Sequence, residues 1–198
     1  GRNVLVVDHA KKLGGKILIS GGGRCNFTNM GASPANYKSS NPHFCKSALS
    51  RYPSQKFIEL VEKHGIAYHE KKLGQLFCDQ SAQSIVDLLE SECSEAGVTI
   101  ELETQILDVS KATETTFRVE TSRGVVESES LVIALGGLSI PKIGATGLGY
   151  ELASQFGHKL IDRAPALDGF VLNAEDAKRF EGLSGTSFDS LITTKGVS

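Results

Sequence analysis

Two uninterrupted apolar runs constrain this chain most. Val4-Leu-Val-Val7 follows Asn3 and ends on Asp8; Leu131-Val-Ile-Ala-Leu135 ends on Gly136-Gly137. A strand that is apolar on both faces must be covered on both faces, which is the condition of a parallel sheet layered between helices. The chain is therefore expected to be an α/β protein with both runs as buried strands. In open sheets of this kind ligands collect at the carboxyl ends of the strands, where Asp8 and Gly136-Gly137 stand.

The remaining segments fill in around that sheet. Residues 9 to 42 are rich in Gly, Asn, Ser and Pro and read as one long loop, a length that in a compact domain is usually functional or disordered. Helices are expected at about 43–50 and 54–64, the second with Phe57, Leu60, Val61 and His64 on one face. Strands at 66–70 and 75–78 join through Gly74. Ser81 then caps a helix with Ile85, Leu88, Leu89, Cys93 and Ala96 on its apolar face and Gly97 at its end. Val98–Leu102 is the next strand. From 104 to 128 the hydrophobic period falls to two, with Arg123-Gly124 as a turn, which predicts a three-stranded antiparallel meander. A last helix runs from about 147 to 156. After Pro165 the periodic signal weakens, so residues 1–162 read as one domain and 163–198 as the start of a second.

Three places carry ligand chemistry. A carboxylate at the end of a buried strand, as at Asp8, is where a dinucleotide fold grips a ribose hydroxyl, although a solvated Asp closing a strand has the same sequence. Gly14-Gly15-Lys16 and Gly21-Gly22-Gly23-Arg24 bare main-chain amides to an anion, with Arg24 able to add a charge-assisted hydrogen bond; a flexible loop is the alternative. A Walker A loop is excluded, since no Gly is followed by Lys-Ser or Lys-Thr. Gly136 and Gly137 mark a second close approach. Thr146 is a candidate cap for a helix whose free amides bind an anion or carbonyl, against the alternative of an ordinary capped surface helix.

Charge and cysteine usage narrow the partners. The 198 residues hold 21 Lys and Arg against 23 Asp and Glu, a net charge of −2, so no overall cationic field is expected to draw the chain to nucleic acid or an anionic membrane, and no basic stripe is evident. No apolar run reaches the roughly 18 residues that span a bilayer. Cys25, Cys45, Cys78 and Cys93 lack C-x-x-C spacing, so neither zinc nor a disulfide framework is expected and a reducing cytoplasm is the default. Cys25 beside Arg24 is a weak thiol candidate. The five histidines show no metal-like spacing, and His43 in the long loop could touch substrate.

The order VLVVD, KKLGGKILISGGGRCNFTN, a meander, LVIALGG and GATGLGYELASQFGH resembles the BaiN/YhiN-like family of FAD-dependent flavoproteins, with Lys16 to Asn29 as the most specific part. The likeness extends to PALDGFVL and GLSGTSFDS in the tail. It implies a partial FAD/NAD(P)-binding Rossmann-like domain with an antiparallel meander and the start of a second domain. It implies that Asp8 holds the adenosine ribose, where many relatives have Glu. Lys16, Gly22, Arg24, Asn26 and Thr28 would line the flavin and pyrophosphate, and Gln105 and Ile106 would meet the adenine through their backbone. Gly136 and Gly137 would face the pyrophosphate, and Thr146, Gly147 and Gly149 the isoalloxazine. The glycine fingerprint of the first strand is missing, so the chain reads as a fragment lacking roughly 30 residues in front and part of the second domain, and it is expected to hold FAD poorly alone.

The leading functional expectation is an NAD(P)H-linked FAD oxidoreductase acting on a small molecule, with no nucleic-acid partner and no membrane. A flavoprotein that modifies or binds RNA is the alternative, and a non-catalytic nucleotide-binding module the third. No catalytic acid or base is singled out.

Overall fold

The computed structural model describes residues 1–163, 171–183, 186, 189 and 191. The chain divides into two compact units, Gly1–His158 and Lys159–Ser198.

In the first unit β1 (Leu5–Val7) pairs in parallel with β5 (Thr99–Glu101), in the register Leu5 to Thr99 and Val7 to Glu101. The ladder runs one residue further, because the Asp8 amide donates to the Glu101 carbonyl at 2.9 Å. The expected burial of both faces is not met: Val4 and Val6 are 45% and 40% exposed. Among the described residues this sheet has two strands, so β1 is paired along one edge only.

The second apolar run departs further from expectation. Residues 131–135 form no ladder, and Val132 is 82% exposed. A strand needs a neighbour to take up its main-chain groups, and no described strand is hydrogen-bonded to this segment in a sheet. Leu131 still packs on the core of the meander.

That meander forms as its period of two dictates. Strands β6 (Ile106–Lys111), β7 (Phe117–Thr121) and β8 (Gly124–Ser128) pair antiparallel in sequence order, with an irregularity between Ile106 and Asp108. Helix α5 (Leu148–Gln155) lies on it, joining Leu152 to buried Val109 and Val119 and sending the Gln155 amide to the Val109 carbonyl at 2.6 Å. Phe156 meets Phe117 edge-on at 5.8 Å between centroids.

A second core sits between helices α3 (Ser54–Lys63) and α4 (Gln83–Glu95) and the sheet of β2 (Asn26–Asn29), β4 (Gln75–Cys78) and β3 (Tyr68–Glu70). Its centre is Val61, Cys78, Ala82, Ile85 and Leu88, with Phe27 wedged between Phe57 and Tyr68. The stretch expected to be loop thus holds a strand, together with helix α1 (Gly15–Ile19) and short 3-10 turns at Ser20–Gly23 and Pro34–Asn36. Five residues are too few to show a helical period, and the partner of β2 lies far along the chain. Helix α2 (Lys46–Arg51) starts three residues later than expected. On α4 Ser81 makes no side-chain cap, Ala82 occupies the cap position, and Val86 rather than Leu89 completes the buried face, leaving Leu89 37% exposed.

At the outer ends of α3 and α4 one Glu92 carboxylate oxygen takes Lys63 Nζ at 2.7 Å and His64 Nε2 at 2.8 Å. His64 first and Lys63 second hold the Glu92 carboxyl below its ordinary value of 4.5. In the second unit α6 (Ala174–Arg179) is capped by Asn173, whose side chain accepts the Asp176 amide at 2.9 Å. Most of PALDGFVL and GLSGTSFDS lies outside the described residues.

Leu88→Ala should cost about 2–5 kcal/mol, the range for emptying a closed core site, and Leu89→Ala under about 1 kcal/mol; urea denaturation midpoints compare them, and equal losses would contradict the packing of α4. Because Glu92 is lowered in the folded state, its clip contributes above pH 4.5 and is lost as pH falls through the lowered value. The destabilisation caused by Glu92→Gln should therefore shrink on acidification, and a pH-independent penalty would show that the charge is irrelevant.

Candidate functional site

The carboxyl end of β1 is closed by a turn. Asp8 Oδ1 accepts the Ala10 amide at 2.8 Å, while the Asp8 and Ala10 carbonyls accept the Thr104 and Glu103 amides, each at 3.0 Å. Thr104, which the sequence did not single out, is fully buried beneath this turn and donates its hydroxyl to the Leu102 carbonyl. Asp8 Oδ2 has no hydrogen-bond partner among the described residues, so half of a half-exposed carboxylate faces outward as an acceptor.

Two of the loops expected to bind a ligand touch each other. Lys16 Nζ donates to Ser139 Oγ at 2.9 Å and reaches the Gly137 carbonyl at 3.5 Å, tying α1 to the Gly136-Gly137 loop. An ammonium carries three donors, so one N–H is left for a further acceptor. His9, beside Asp8, lies against Gly144, where an added Cβ would come within 2.7 Å of His9 Nε2. Ser139 and His9 are thus site neighbours that sequence reasoning missed, because neither sits in a recognisable motif.

The three glycines after α1 have separate roles. Gly21 and Gly22 both take left-handed φ, +56° and +67°. A Cβ on Gly21 would strike the Phe77 ring at 2.6 Å and the Asn26 amide nitrogen at 2.8 Å, whereas above Gly22 there is nothing within 4 Å. Gly21 is therefore a packing glycine and Gly22 an open one. Arg24 follows, exposed, its guanidinium without a hydrogen bond or ion pair among the described residues. Asn26 is exposed and Thr28 half-buried on β2, and an irregularity between them sets Asn26 opposite Phe77 and Thr28 opposite Leu76, consecutive residues on opposite faces of β4.

Other expected residues fit less closely. Gln105 already has its amide on Ser122 Oγ at 3.0 Å and its carbonyl on the Ser122 amide at 2.9 Å, and Ile106 is paired with Thr121. Thr146 is exposed and makes no side-chain cap; Gly147 holds the cap position of α5 and its carbonyl accepts the Tyr150 and Glu151 amides. Gly149 lies over Ile133 and Leu135, which line one wall of a groove of about 640 Å³ with Gly136, Tyr150 and Phe156. Cys25 is 4% exposed, and burial followed by the neighbouring Cys25 pushes the Cys78 thiol up to about 11, so this pair belongs to the core and offers no exposed nucleophile. No group of three or more His, Cys, Asp or Glu that could hold a metal occurs among the described residues, and none of their helices is long and apolar enough to cross a membrane.

The model of the HI0933-like protein Rossmann domain matches residues 1–198. The chain belongs to that family. Its fold is accordingly a Rossmann-like α/β domain with parallel and antiparallel sheets, a broader grouping than the BaiN/YhiN-like resemblance. The chain is 50% identical over 195 residues to a protein of Escherichia coli (strain K12) named ribosomal RNA dihydrouridine synthase, covering 98% of this chain and 48% of the relative. A protein of the same name from Haemophilus influenzae is 45% identical over 196 residues, covering 98% and 49%. A 3-dehydro-bile acid delta(4,6)-reductase of Clostridium scindens is 28% identical over 166 residues, covering 83% and 40%. The chain thus spans about half the length, or less, of these curated relatives. The two names that refer to ribosomal RNA overturn the expectation of no nucleic-acid partner. That expectation rested on net charge and on finding no basic stripe, and it overlooked that residues 9–58 carry eight Lys and Arg and no Asp or Glu.

Gly21→Ala should destabilise the protein by about 2–5 kcal/mol, combining a left-handed Cβ with overpacking, and Gly22→Ala by about 1–2 kcal/mol from the backbone alone. Thermal and urea unfolding of the pair decide this; a Gly22 loss equal to that of Gly21 would mean its surroundings are closed.

Proposed function

We propose that this chain is the cofactor-binding part of a flavin-dependent reductase that converts uridine to dihydrouridine in ribosomal RNA. The substrate reading is supported by the 50% identity to a relative so named, over 98% of this chain. The cofactor reading is supported by one contact above others, Lys16 bound to Ser139 beside the Gly136-Gly137 loop, which joins two ligand-type loops.

The donor set suits a flavin dinucleotide. Asp8 Oδ2 would accept a hydroxyl of the adenosine ribose. The spare N–H of Lys16 and the unpaired Arg24 guanidinium would meet the pyrophosphate, and the open backbone of Gly22, Gly136 and Gly137 would let it approach. Asn26 and Thr28 on β2, and Thr146, Gly147 and Gly149 at the head of α5, are assigned to the flavin ring. Gln105 and Ile106 are assigned to the adenine, with Ser122 the residue that must release the Gln105 amide. Residues 1–162 form the cofactor domain in this reading and 163–198 begin the next.

Saturating the uracil C5=C6 bond adds one hydride and one proton, and the two electrons come from a reduced nicotinamide that leaves oxidised. A bound flavin would relay the hydride; the protein supplies binding, orientation and shielding from water. A cytoplasmic location accords with a ribosomal RNA substrate.

The intact protein, purified with FAD, should show flavin absorption that NADH or NADPH bleaches anaerobically. It should also add two hydrogens to uridine in ribosomal RNA from a strain lacking it, read by mass spectrometry of nucleosides. Arg24→Ala should weaken FAD binding about tenfold or more, as loss of a charged hydrogen bond does. A protein that stays colourless with excess FAD, or that bleaches but never modifies RNA, would refute the cofactor or the substrate half respectively.

A further inference from the structure

Between His9 and Ile58 the chain has eight Lys and Arg residues and no Asp or Glu, where its average acid content would place about six. Beyond residue 80 the balance reverses, to nine cations against eighteen carboxylates. The near-neutral total therefore conceals a strongly polarised chain. Lys11, Lys12, Lys16 and Arg24 lie around the glycine segment. The other four, Lys38, Lys46, Arg51 and Lys56, are exposed, and none of them joins an ion pair among the described residues.

Three aromatic rings stand among those four cations. Tyr37 is 52%, Phe44 83% and Tyr52 54% exposed. Phe44 is held by a turn of its own: its amide donates to the Asn41 carbonyl at 3.1 Å, and the His43 amide to Asn41 Oδ1 at 3.0 Å. Just beyond Lys56, Ile58 and Val61 anchor α3 in the core. The chain thus keeps apolar faces in water between unpaired cations, on a segment tied to a rigid element.

We propose that the surface from Tyr37 to Lys56 grips single-stranded RNA, the cations on phosphates and the rings stacked on unpaired bases. This rests on the RNA reading above and adds where the RNA is held. Stacking rings require bases out of a duplex. An enzyme that works on a base must also have it unstacked, so a grip on flanking unpaired nucleotides serves the same reaction. Along the chain the rings alternate with cations, which favours a polyanion with flat bases over a bilayer.

The test uses the intact FAD-loaded protein and a fluorescein-labelled oligouridylate, with anisotropy titrations across a salt series. Combining Lys38→Gln, Lys46→Gln, Arg51→Gln and Lys56→Gln should reduce the slope of log K against log salt by about 3, near 0.7 for each phosphate no longer neutralised. Phe44→Ala should weaken binding about tenfold at fixed salt and leave the slope alone. Both variants should keep the flavin spectrum. If the parent binds and reduces RNA while both variants match its affinity and slope, this surface is not the grip, although the proposed function stands. If the parent neither binds nor modifies RNA, the function fails and takes this inference with it. Binding to phosphatidylserine vesicles that these substitutions abolish, with RNA ignored, would likewise overturn it.

Discussion

The turn from Ser20 to Cys25 is stitched to a distant part of the chain by main-chain hydrogen bonds, and the rest of the first unit depends on it. The Ala82 amide donates to the Gly23 carbonyl at 2.7 Å, the Cys78 amide to the Arg24 carbonyl at 3.0 Å, and the Cys25 amide back to Ser20. Gly21 lies flat on Phe77, which no other residue type could do. This fixes α1 relative to α4, starts β2 in register with β4, and leaves the Arg24 side chain directed outward. A stretch with five glycines between Gly14 and Gly23 and few large side chains is thereby ordered by its main chain, which small residues expose most freely.

What the sequence disclosed and what it hid follow from the range of the interactions. The meander was legible because each strand pairs with its neighbour across a short turn, and Val109 and Val119 alternate with polar residues. Helices α3 and α4 were legible in extent because their apolar positions repeat over several turns. The face of α4 was misjudged by one position, since a stripe that includes Leu89 is as regular as the one that includes Val86. The strand β2 was invisible because its partner lies near residue 76 and its four residues, Asn-Phe-Thr-Asn, carry one apolar side chain. The run 131–135 shows the converse: strong strand composition does not make a strand where no neighbour accepts its hydrogen bonds.

The candidate site divides along the same line. Asp8, Lys16, Gly136 and Gly137 stood out because strand ends and glycine pairs are local signals, and the structure joins Lys16 to the Gly137 carbonyl and Ser139. Ser139, His9 and Thr104 were not readable, since what gives them their place is contact with residues distant in sequence. Thr146 failed as a cap for a different reason: a threonine before a helix resembles a cap whether or not its hydroxyl turns inward.

Charge shows most plainly how a sum misleads. Carboxylates are absent from 9–58, and the last one before that stretch, Asp8, sits where an acid is useful to a nucleotide because it accepts from hydroxyls rather than facing phosphates. A dinucleotide and a polynucleotide present the same chemical surface to a protein: flat rings, sugar hydroxyls and phosphate oxygens. In the proposed reading one stretch meets both, and excluding acids from it avoids repelling either set of phosphates. The acids that balance the chain are carried beyond residue 80, where α4 and the meander use several of them in their own ion pairs, such as Glu92 with Lys63 and Glu120 with Arg118. Near-neutrality overall thus coexists with a run of cations unopposed by carboxylates, the distribution that the proposed RNA grip requires and that a summed charge conceals.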